Sequence, residues 1–328
     1  MSPEQDAQLR QIADTLRSDD GFLVASHHGP DGDAIGSLLA VGKLLDCLGK
    51  RYCLFNTDGV PDQYRFLPGS DQVTDRLPGE CWNWLILLDV ATPDRIDEAL
   101  RQGQHYARSI VLDHHLTERP FGDLAYVDAG AAATGEIVVR LRAALAVDPG
   151  PDFATCAYAA IFADTGSFQF SNTNDRVLRI AAELAAQGAD PAAIADALVA
   201  SQSLARVRMM ERALHNLEIL ADGRVATISV FLDDMQAVGA TRYDLEGLVN
   251  LPRSIAGVRV AAQLREVIPG QEYRISLRSK VGYDVEAVAR KFGGGGHRQA
   301  AGCTIRGSYE AVCAALYPEL ERAAEPRQ

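Results

Sequence analysis

Four short segments gather imidazole and carboxylate side chains in this 328-residue chain. The first, His27-His28-Gly29-Pro30-Asp31-Gly32-Asp33, follows the apolar run Phe22–Ser26 and offers His27, Asp31 and Asp33 from a tight Gly/Pro turn. Asp89 directly follows Trp84–Leu88, Asp113-His114-His115 follows Ser109–Leu112, and Asp164 follows Tyr158–Ala163. A single Asp after an apolar run is ordinarily a turn former or helix cap. Here four runs end in ligand-type residues, so the four segments are read together as strand ends on one rim. Without cations, His27, Asp31, Asp33, Asp89, His114 and Asp164 on that rim would crowd like charges and raise carboxylate pKa values. Carboxylates and imidazoles without thiolate favour Mn²⁺ or Mg²⁺ over structural zinc. Two such ions about 3.5–4 Å apart can hold a bridging hydroxide and clamp a phosphoryl group for in-line attack. Neither a Gly-x-Ser-x-Gly elbow nor a Walker loop is present, since Gly32–Gly36 lacks the Gly-Lys-Ser/Thr ending. The chemistry indicated is phosphoester hydrolysis at a di-metal centre.

A second feature stands near the far end, in Lys291-Phe292-Gly293-Gly294-Gly295-Gly296-His297-Arg298-Gln299-Ala300-Ala301-Gly302. Four consecutive glycines carry a large backbone entropy cost in a folded domain. They form either a flexible loop or a nest of backbone N–H groups around an anion. On the second reading His297 and Arg298, with Arg278, supply cationic donors, and Arg suits bidentate phosphate contact.

The elements that must position these residues alternate. Phe22–Ser26, Arg51–Phe55, Trp84–Leu88 and Ser109–Leu112 read as buried strands, with helices over 33–49, 93–101 and 133–146. This spacing predicts right-handed βαβ units and a mostly parallel sheet, with ligands outside the carboxyl ends of its strands. Alanine-rich helical patterns run from 153 to 219 and end in a connecting helix over 204–220. Beyond it Gly223–Val230, Val258–Val267 and Tyr273–Ser279 read as strands, with helices near 242–250, 284–292 and 308–321. The fold class expected is α/β: a parallel-sheet N-terminal domain (1–190), a helical linker (191–220) and a smaller α+β C-terminal domain (221–328), with the active-site cleft between them. Thr134 and Glu136 in Ala133-Thr134-Gly135-Glu136 read as a helix cap. Trp82 and Trp84 read as core, and Ser171-Asn172-Thr173 as a turn or a nucleotide contact.

Composition narrows the function classes. With 47% hydrophobic and 23% charged residues, disorder, collagen-like repeats and coiled coil are excluded. A formal net charge of −12 argues against duplex DNA as partner. The charge is uneven: residues 1–202 carry 15 basic and 29 acidic side chains, residues 203–328 carry 17 and 15. The acidic excess therefore lies with the carboxylate clusters. Six cysteines without a Cys-x-x-Cys pair read as small core residues in a reducing cytosol. No apolar run is long enough to cross a bilayer and the first residues lack a signal-peptide pattern, so a soluble, cytoplasmic protein is expected.

The motifs HHGPDGDAIGS, LLDVATPD, LDHH and ADTGSF, followed by SLRS and FGGGGHRQAAG, resemble the DHH phosphoesterase superfamily with its DHH-associated C-terminal domain. Length and motif order are most similar to the stand-alone NrnA type of bifunctional oligoribonuclease and PAP phosphatase. The resemblance implies one metal on His27, Asp31 and Asp89 and a second on Asp33, Asp89, His114 and Asp164, with Asp89 bridging. It implies that His115 is the non-ligating histidine at the scissile phosphate, as general acid or charge stabiliser, and that Asp113 orients the pair. Arg278, Gly295, His297 and Arg298 are implied to bind the far phosphate or nucleotide end of the substrate. His28 matches no ligand position and reads as a loop residue. The implied activity uses Mn²⁺ or Mg²⁺, two ions per site, and a two-metal-activated hydroxide. Its substrates are 3′-phosphoadenosine 5′-phosphate (PAP), giving AMP, and single-stranded oligoribonucleotides of about 2–5 nucleotides, giving 5′-mononucleotides; an acidic surface would not hold a long polyanion. The linear dinucleotides pGpG and pApA and cyclic di-AMP stay open as substrates, as does a non-catalytic nucleotide sensor, against which the intact ligand set argues. A homodimer is implied, and neither duplex DNA nor a membrane is.

Overall fold

Continuous Val, Ile and Leu runs make strands that can be buried on both faces, and such strands pair in parallel under helices. In the computed structural model, which describes residues 3–90, 92–115 and 121–325, the chain divides into two units, Met1–Ser201 and Gln202–Gln328. The first unit's sheet is built from β1 (Phe22–Ser26), β2 (Tyr52–Phe55), β3 (Val73–Thr74), β4 (Trp82–Leu88), β5 (Tyr106–Asp113) and β6 (Leu124–Val127). Their order is β3-β2-β1-β4-β5-β6, with every pairing parallel. The order reverses between β1 and β4, and a crevice opens at such a point outside the carboxyl ends of the strands.

The helices of this unit are α1 (Pro3–Ser18), α2 (Gly32–Cys47), α3 (Glu98–Arg101), α4 (Thr134–Leu145), α5 (Gly150–Asp164), α6 (Asp175–Ala186) and α7 (Pro191–Ala195). Alternation along β1 sends Phe22 and Val24 to a core with Leu16, Ile35, Leu38, Ile137 and Phe153 of the helices. Leu23 and Ala25 face the other way, toward Leu85, Leu87, Ile96 and Leu100. Trp82 and Trp84 are buried, as expected, with Arg51 and Arg108 lying 4.4 and 4.0 Å over their rings. The helix expected over 93–101 is two short turns, Pro93–Arg95 and α3, because Ile96 between them is extended.

Close approach of α2, α4 and α5 sets where their ends fall. A Cβ on Gly36 would lie 2.7 Å from the Cys156 carbonyl oxygen and 2.9 Å from Ala160, and one on Gly135 would lie 2.6 Å from the Ala160 methyl. Small residues thus let α5 settle against both helices and bring its last residue, Asp164, near the first turns of α2 and α4.

The segment 191–220 is not one helix. It holds α7, a π-turn over Asp196–Ala200, α8 (Leu204–His215) and β7 (Glu218–Leu220), and the two units meet within it. The second unit continues with β8 (Val225–Val230), α9 (Leu232–Val238), α10 (Asn250–Arg253), β9 (Val260–Ile268) and β10 (Glu272–Ser279). It ends with α11 (Glu286–Lys291), β11 (Gly295–His297), β12 (Ala300–Arg306) and α12 (Tyr309–Ala323). The sheet order is β11-β12-β10-β9-β8-β7, parallel only between β8 and β9. Tyr273, Ile275 and Leu277 meet Val288, Val312 and Leu316 on one face, while Ile228 and Val230 meet Met209 and Ala213 of α8 on the other. The helix expected near 242–250 is a 3-10 turn at Arg242–Leu245 followed by the single turn α10.

All six cysteines are free; only Cys156 and Cys303 are buried, and Cys47 and Cys81 are exposed, so the reading of them as core residues holds for two. Among the described residues no helix is long and apolar enough to cross a membrane. Gly36→Ala forces α2 and α5 apart and is expected to cost about 1–3 kcal/mol, as overpacking does; urea unfolding measures it.

Candidate metal centre

The crevice between β1 and β4 receives the ligand-type residues because each lies one step past a strand or at a helix end. His27 follows β1, Asp89 follows β4 and His114 follows β5, while Asp31 and Asp33 open α2. Asp164 is the exception to the strand-end reading: it is the last residue of α5. It nevertheless reaches the same place, with Oδ2 3.6 Å from His114 Nε2.

Three overlapping groups share Asp89, in each of which the ligand atoms lie within 4.8 Å of one another: the two candidate ligand groups, His27, Asp31 and Asp89, and Asp33, Asp89 and His114, and a third of Asp89, Asp113 and His115, in which the last two bond each other. His27 Nε2 is 3.3 Å from Asp89 Oδ2 and 4.0 Å from Asp31 Oδ1. His114 Nε2 is 3.5 Å from Asp89 Oδ1 and 3.8 Å from Asp33 Oδ2. His27, Asp33, Asp89 and His114 are buried, whereas the Asp31 and Asp164 side chains are 42% and 31% exposed, so the site opens on their side.

Neighbours that the sequence reading passed over hold this arrangement. Asp33 Oδ1 accepts from Ser37 Oγ (3.0 Å) and the Gly135 amide (2.9 Å), and Oδ2 accepts from the Thr134 amide (2.6 Å). The first turn of α4 therefore clamps a carboxylate of α2, in the favourable field of a helix N-terminus. Thr134 is not the helix cap: Ala133 takes that position, and the Thr134 hydroxyl donates to Asp89 Oδ1 at 3.2 Å. Glu136 accepts from the Ala132 amide (2.8 Å) and pairs with Arg140 and Arg176, fixing the loop before α4. Asn56, fully buried, donates to Ser26 Oγ (2.8 Å) and the His27 carbonyl (3.0 Å). Asn172 donates to the carbonyls of Ala132 and Asp164, which ties the fourth motif to the same loop. Asp89 itself has φ 60°, a left-handed backbone that non-glycine residues rarely adopt and that aims its carboxylate back over the strand ends.

The electrostatics are those of an anionic cluster. Burial, then the charge of Asp89, pushes Asp33 well above the usual carboxylate range. Burial also raises Asp164, to about 6, against the pull of His114. Burial raises Asp89 too, but the close approach of the His27 imidazole (3.3 Å) and the charges of His115 and His114 outweigh it and hold it low. Burial lowers His114, yet Asp164, Asp89 and Asp33 together carry it up to about 9. His114 takes a proton because the carboxylates around it demand positive charge.

The donor set fits divalent cations. His27 Nδ1 lies 2.9 Å from the His28 carbonyl, which can only accept, so the ring proton sits on Nδ1 and the Nε2 lone pair faces the carboxylates. Arg95 Nη2 stands equally near Nδ1 and would need the other tautomer; the carbonyl bond is the one compatible with a ligand at Nε2. Nε2 is buried and makes no hydrogen bond among the described residues. His115 is held differently: its Nδ1 lies 2.8 Å from Asp113 Oδ1 and its amide donates to the same oxygen (3.1 Å). His28 is exposed in the loop, its amide bonded to the Arg95 carbonyl.

In the second unit, strand register brings Arg278 and His297 to the same residue, Ala300, from either side of β12, and sets Gly295 against Gly302. The glycine run is thus part of a hairpin, neither a flexible loop nor an isolated nest. Three of its members answer to the chain itself. Gly293 has φ 72°, and a Cβ on Gly294 or Gly296 would lie 2.1 or 2.5 Å from a carbonyl oxygen of β12. At Gly295 nothing lies within 4 Å of an added Cβ. Arg298 pairs with Asp284 at 3.5 Å.

A 3-2-1-4-5-6 parallel sheet whose switch point gathers buried carboxylates and imidazoles defines a phosphoesterase of the divalent-metal-dependent class. The chain belongs to the DHH family: residues 21–161 match the DHH family N-terminal domain and residues 225–323 the DHHA1 domain. It is 34% identical over 326 residues to the bifunctional oligoribonuclease and PAP phosphatase NrnA of Thermus thermophilus, covering 96% of this chain and 95% of that one. It is 28% identical to the protein of the same name from Bacillus subtilis, over 90% of this chain and 92% of that one. The crystal structure of an exopolyphosphatase-related protein from Bacteroides fragilis superposes with a TM-score of 0.87 at 29% identity, covering 97% and 96% of the two chains.

A cation held by His114 must displace its proton. Below about pH 9 the imidazole is protonated and competes with the metal, so affinity is expected to rise from pH 6 to pH 9, by up to about tenfold per unit for one proton. Calorimetric Mn²⁺ titrations in buffers of different ionisation enthalpy measure both the affinity and the proton released.

Proposed function

We propose that the protein hydrolyses short oligoribonucleotides to 5′-mononucleotides and PAP to AMP. The observation that carries the reading is the sharing of Asp89 between two ligand groups, which suits a pair of cations rather than one. The names of the Thermus and Bacillus relatives support the substrate pair. One cation is assigned to His27, Asp31 and Asp89, the other to Asp33, Asp89, His114 and Asp164, with Mn²⁺ or Mg²⁺ as the ion. Bound there, the cations supply Lewis acidity to the phosphoryl group and lower the pKa of the attacking water.

Both substrates present the same bond. Water oxygen attacks phosphorus, the P–O3′ bond breaks, and the 3′-oxygen leaves as a hydroxyl. In an oligonucleotide the phosphate stays on the 5′ side of the next nucleoside; in PAP it leaves as inorganic phosphate. Asp113 holds His115 by Nδ1, so Nε2 is the atom that hands a proton to the departing 3′-oxygen. Arg278, His297 and Arg298 bind the non-reacting phosphate or nucleotide end, and Gly295 lets it approach the backbone. The domains are assigned as 1–190 for metal and hydrolysis, 191–220 as linker and 221–328 for substrate, in a cytoplasmic homodimer. Substrates of about 2–5 nucleotides are preferred because the acidic first unit repels longer polyanions.

The test offers purified protein with Mn²⁺ a labelled series of RNAs from two to twenty nucleotides, with PAP, pGpG, pApA, cyclic di-AMP and pyrophosphate alongside. Mononucleotides from the shortest RNAs and AMP from PAP are expected, and chelation should abolish both. Turnover confined to cyclic di-AMP or pyrophosphate would replace the reading. Asp89→Ala should remove metal-dependent turnover, and His115→Ala should lower kcat by about 10²–10⁴-fold. His297→Ala should impair dinucleotide turnover far more than that of a small artificial phosphodiester; equal losses would take His297 out of the substrate site.

A further inference from the structure

Strand alternation puts Tyr273, Ile275 and Leu277 of β10 against α11 and α12, so Arg274, Ser276 and Arg278 project from the opposite face. Register extends that face across four strands. Arg265 of β9 stands directly opposite Arg274, with Thr304 of β12 on its other side; Gln263, Ser276, Gly302 and Gly295 form the next row; Ala261, Arg278, Ala300 and His297 form the third. Like charges directly opposite on neighbouring strands destabilise a sheet. Arg265 is half-buried, and its guanidinium is pushed below the usual range by burial and by the charges of Arg274 and Arg242. On β10, β11 and β12 the remaining positions are small or uncharged and at least partly exposed, whereas Gln263 and Ala261 of β9 are buried, so the accessible part of the face runs from Arg265 and Arg274 toward Arg278 and His297. Arg274 and Arg278 are four residues apart, about 13 Å along the strand, a span that takes more than one nucleotide linkage.

We infer that Arg265 and Arg274 extend the phosphate-binding row of Arg278 and His297 into a track for the phosphodiester backbone of oligonucleotide substrates longer than two nucleotides. The inference rests on the proposed oligoribonuclease reading and adds to it the residues that set substrate length. Guanidinium groups grip phosphate oxygens without reading bases, so the track carries no sequence preference.

The experiment compares wild-type enzyme with Arg274→Gln, using KM for di- and pentaribonucleotides with Mn²⁺ across a KCl series. Arg274 is exposed, so its replacement leaves the core intact; Arg265→Gln is paired with Arg265→Lys, which keeps the charge at that half-buried position. Each lost phosphate contact should make the dependence of log KM on log salt for the pentanucleotide shallower by about 0.7. The dinucleotide should change much less, and Arg265→Lys should recover part of the loss. Arg322→Gln, on α12 and paired with Glu319, removes the same charge and should leave both substrates unaffected. An unchanged salt slope in Arg274→Gln, or equal losses on both lengths, overturns the track while the oligoribonuclease reading stands. A wild-type enzyme that turns over no oligoribonucleotide removes the reading, and the track falls with it.

Discussion

Everything in the first unit answers to one electrostatic problem, the burial of Asp89 among other acids. Its side chain is 3% exposed, belongs to both candidate ligand groups, and is approached by three imidazoles and the Thr134 hydroxyl. A buried charge is tolerated only when paired and hydrogen-bonded. The protein meets that condition with protonated histidine in the absence of ions, as the rise of His114 to about 9 indicates, and divalent cations meet it more fully. Protons and bound metal ions would therefore compete for the same anionic pocket. The left-handed backbone at Asp89 is a further local cost, accepted because no ordinary strand continuation would turn the carboxylate back over the switch point.

The scaffold solves the problem by geometry before chemistry. Reversal of strand order between β1 and β4 opens the crevice, but strand ends alone do not complete it. Two helix N-termini, those of α2 and α4, aim amide groups inward, and the amides of Thr134 and Gly135 take both oxygens of Asp33. That clamp exists only because α4 can lie close to α2 and α5, which the missing side chains of Gly36 and Gly135 permit. Packing of small residues some way from the ligands thus sets the ligand spacing.

This division explains what could be read from the chain beforehand. The residues gathered at the crevice were legible because strand-end chemistry is local: an apolar run followed at once by Asp or His keeps its meaning without knowledge of neighbours. Asp164 was legible as a member of the set but not as a helix end, since Tyr158–Ala163 is apolar in either conformation. The role of Ala133-Thr134-Gly135-Glu136 was hidden because its sequence also spells a helix cap, and only the tertiary contact of Thr134 with Asp89 separates the two. Two-residue β3 is too short to show a pattern and the Gly-rich β11 has low strand propensity, so both are strands only by pairing with β2 and β12. The turns at 93–101 and 242–250 have helical composition, yet extended residues at Ile96 and Glu246 cut them short.

The uneven charge takes on a meaning from the site. Net −12 speaks against a polyanion-binding protein, yet the acidic excess lies wholly within residues 1–202 and the remainder is balanced at +2. Two divalent cations, if bound as proposed, would offset only four of those charges, so most of the excess would remain as surface charge repelling long nucleic acid. On the proposed reading the reacting bond is the same in an oligonucleotide and in PAP, and the metal-binding residues cannot tell the two apart. Discrimination must then come from where the remaining phosphates rest. On that reading Arg278, His297 and the Arg265–Arg274 row would offer positive groups along one sheet face of the second unit, while the acidic excess of residues 1–202 would disfavour long polyanions. A short substrate gains the former and escapes most of the latter, so length selection follows from two opposing fields rather than from a closed pocket.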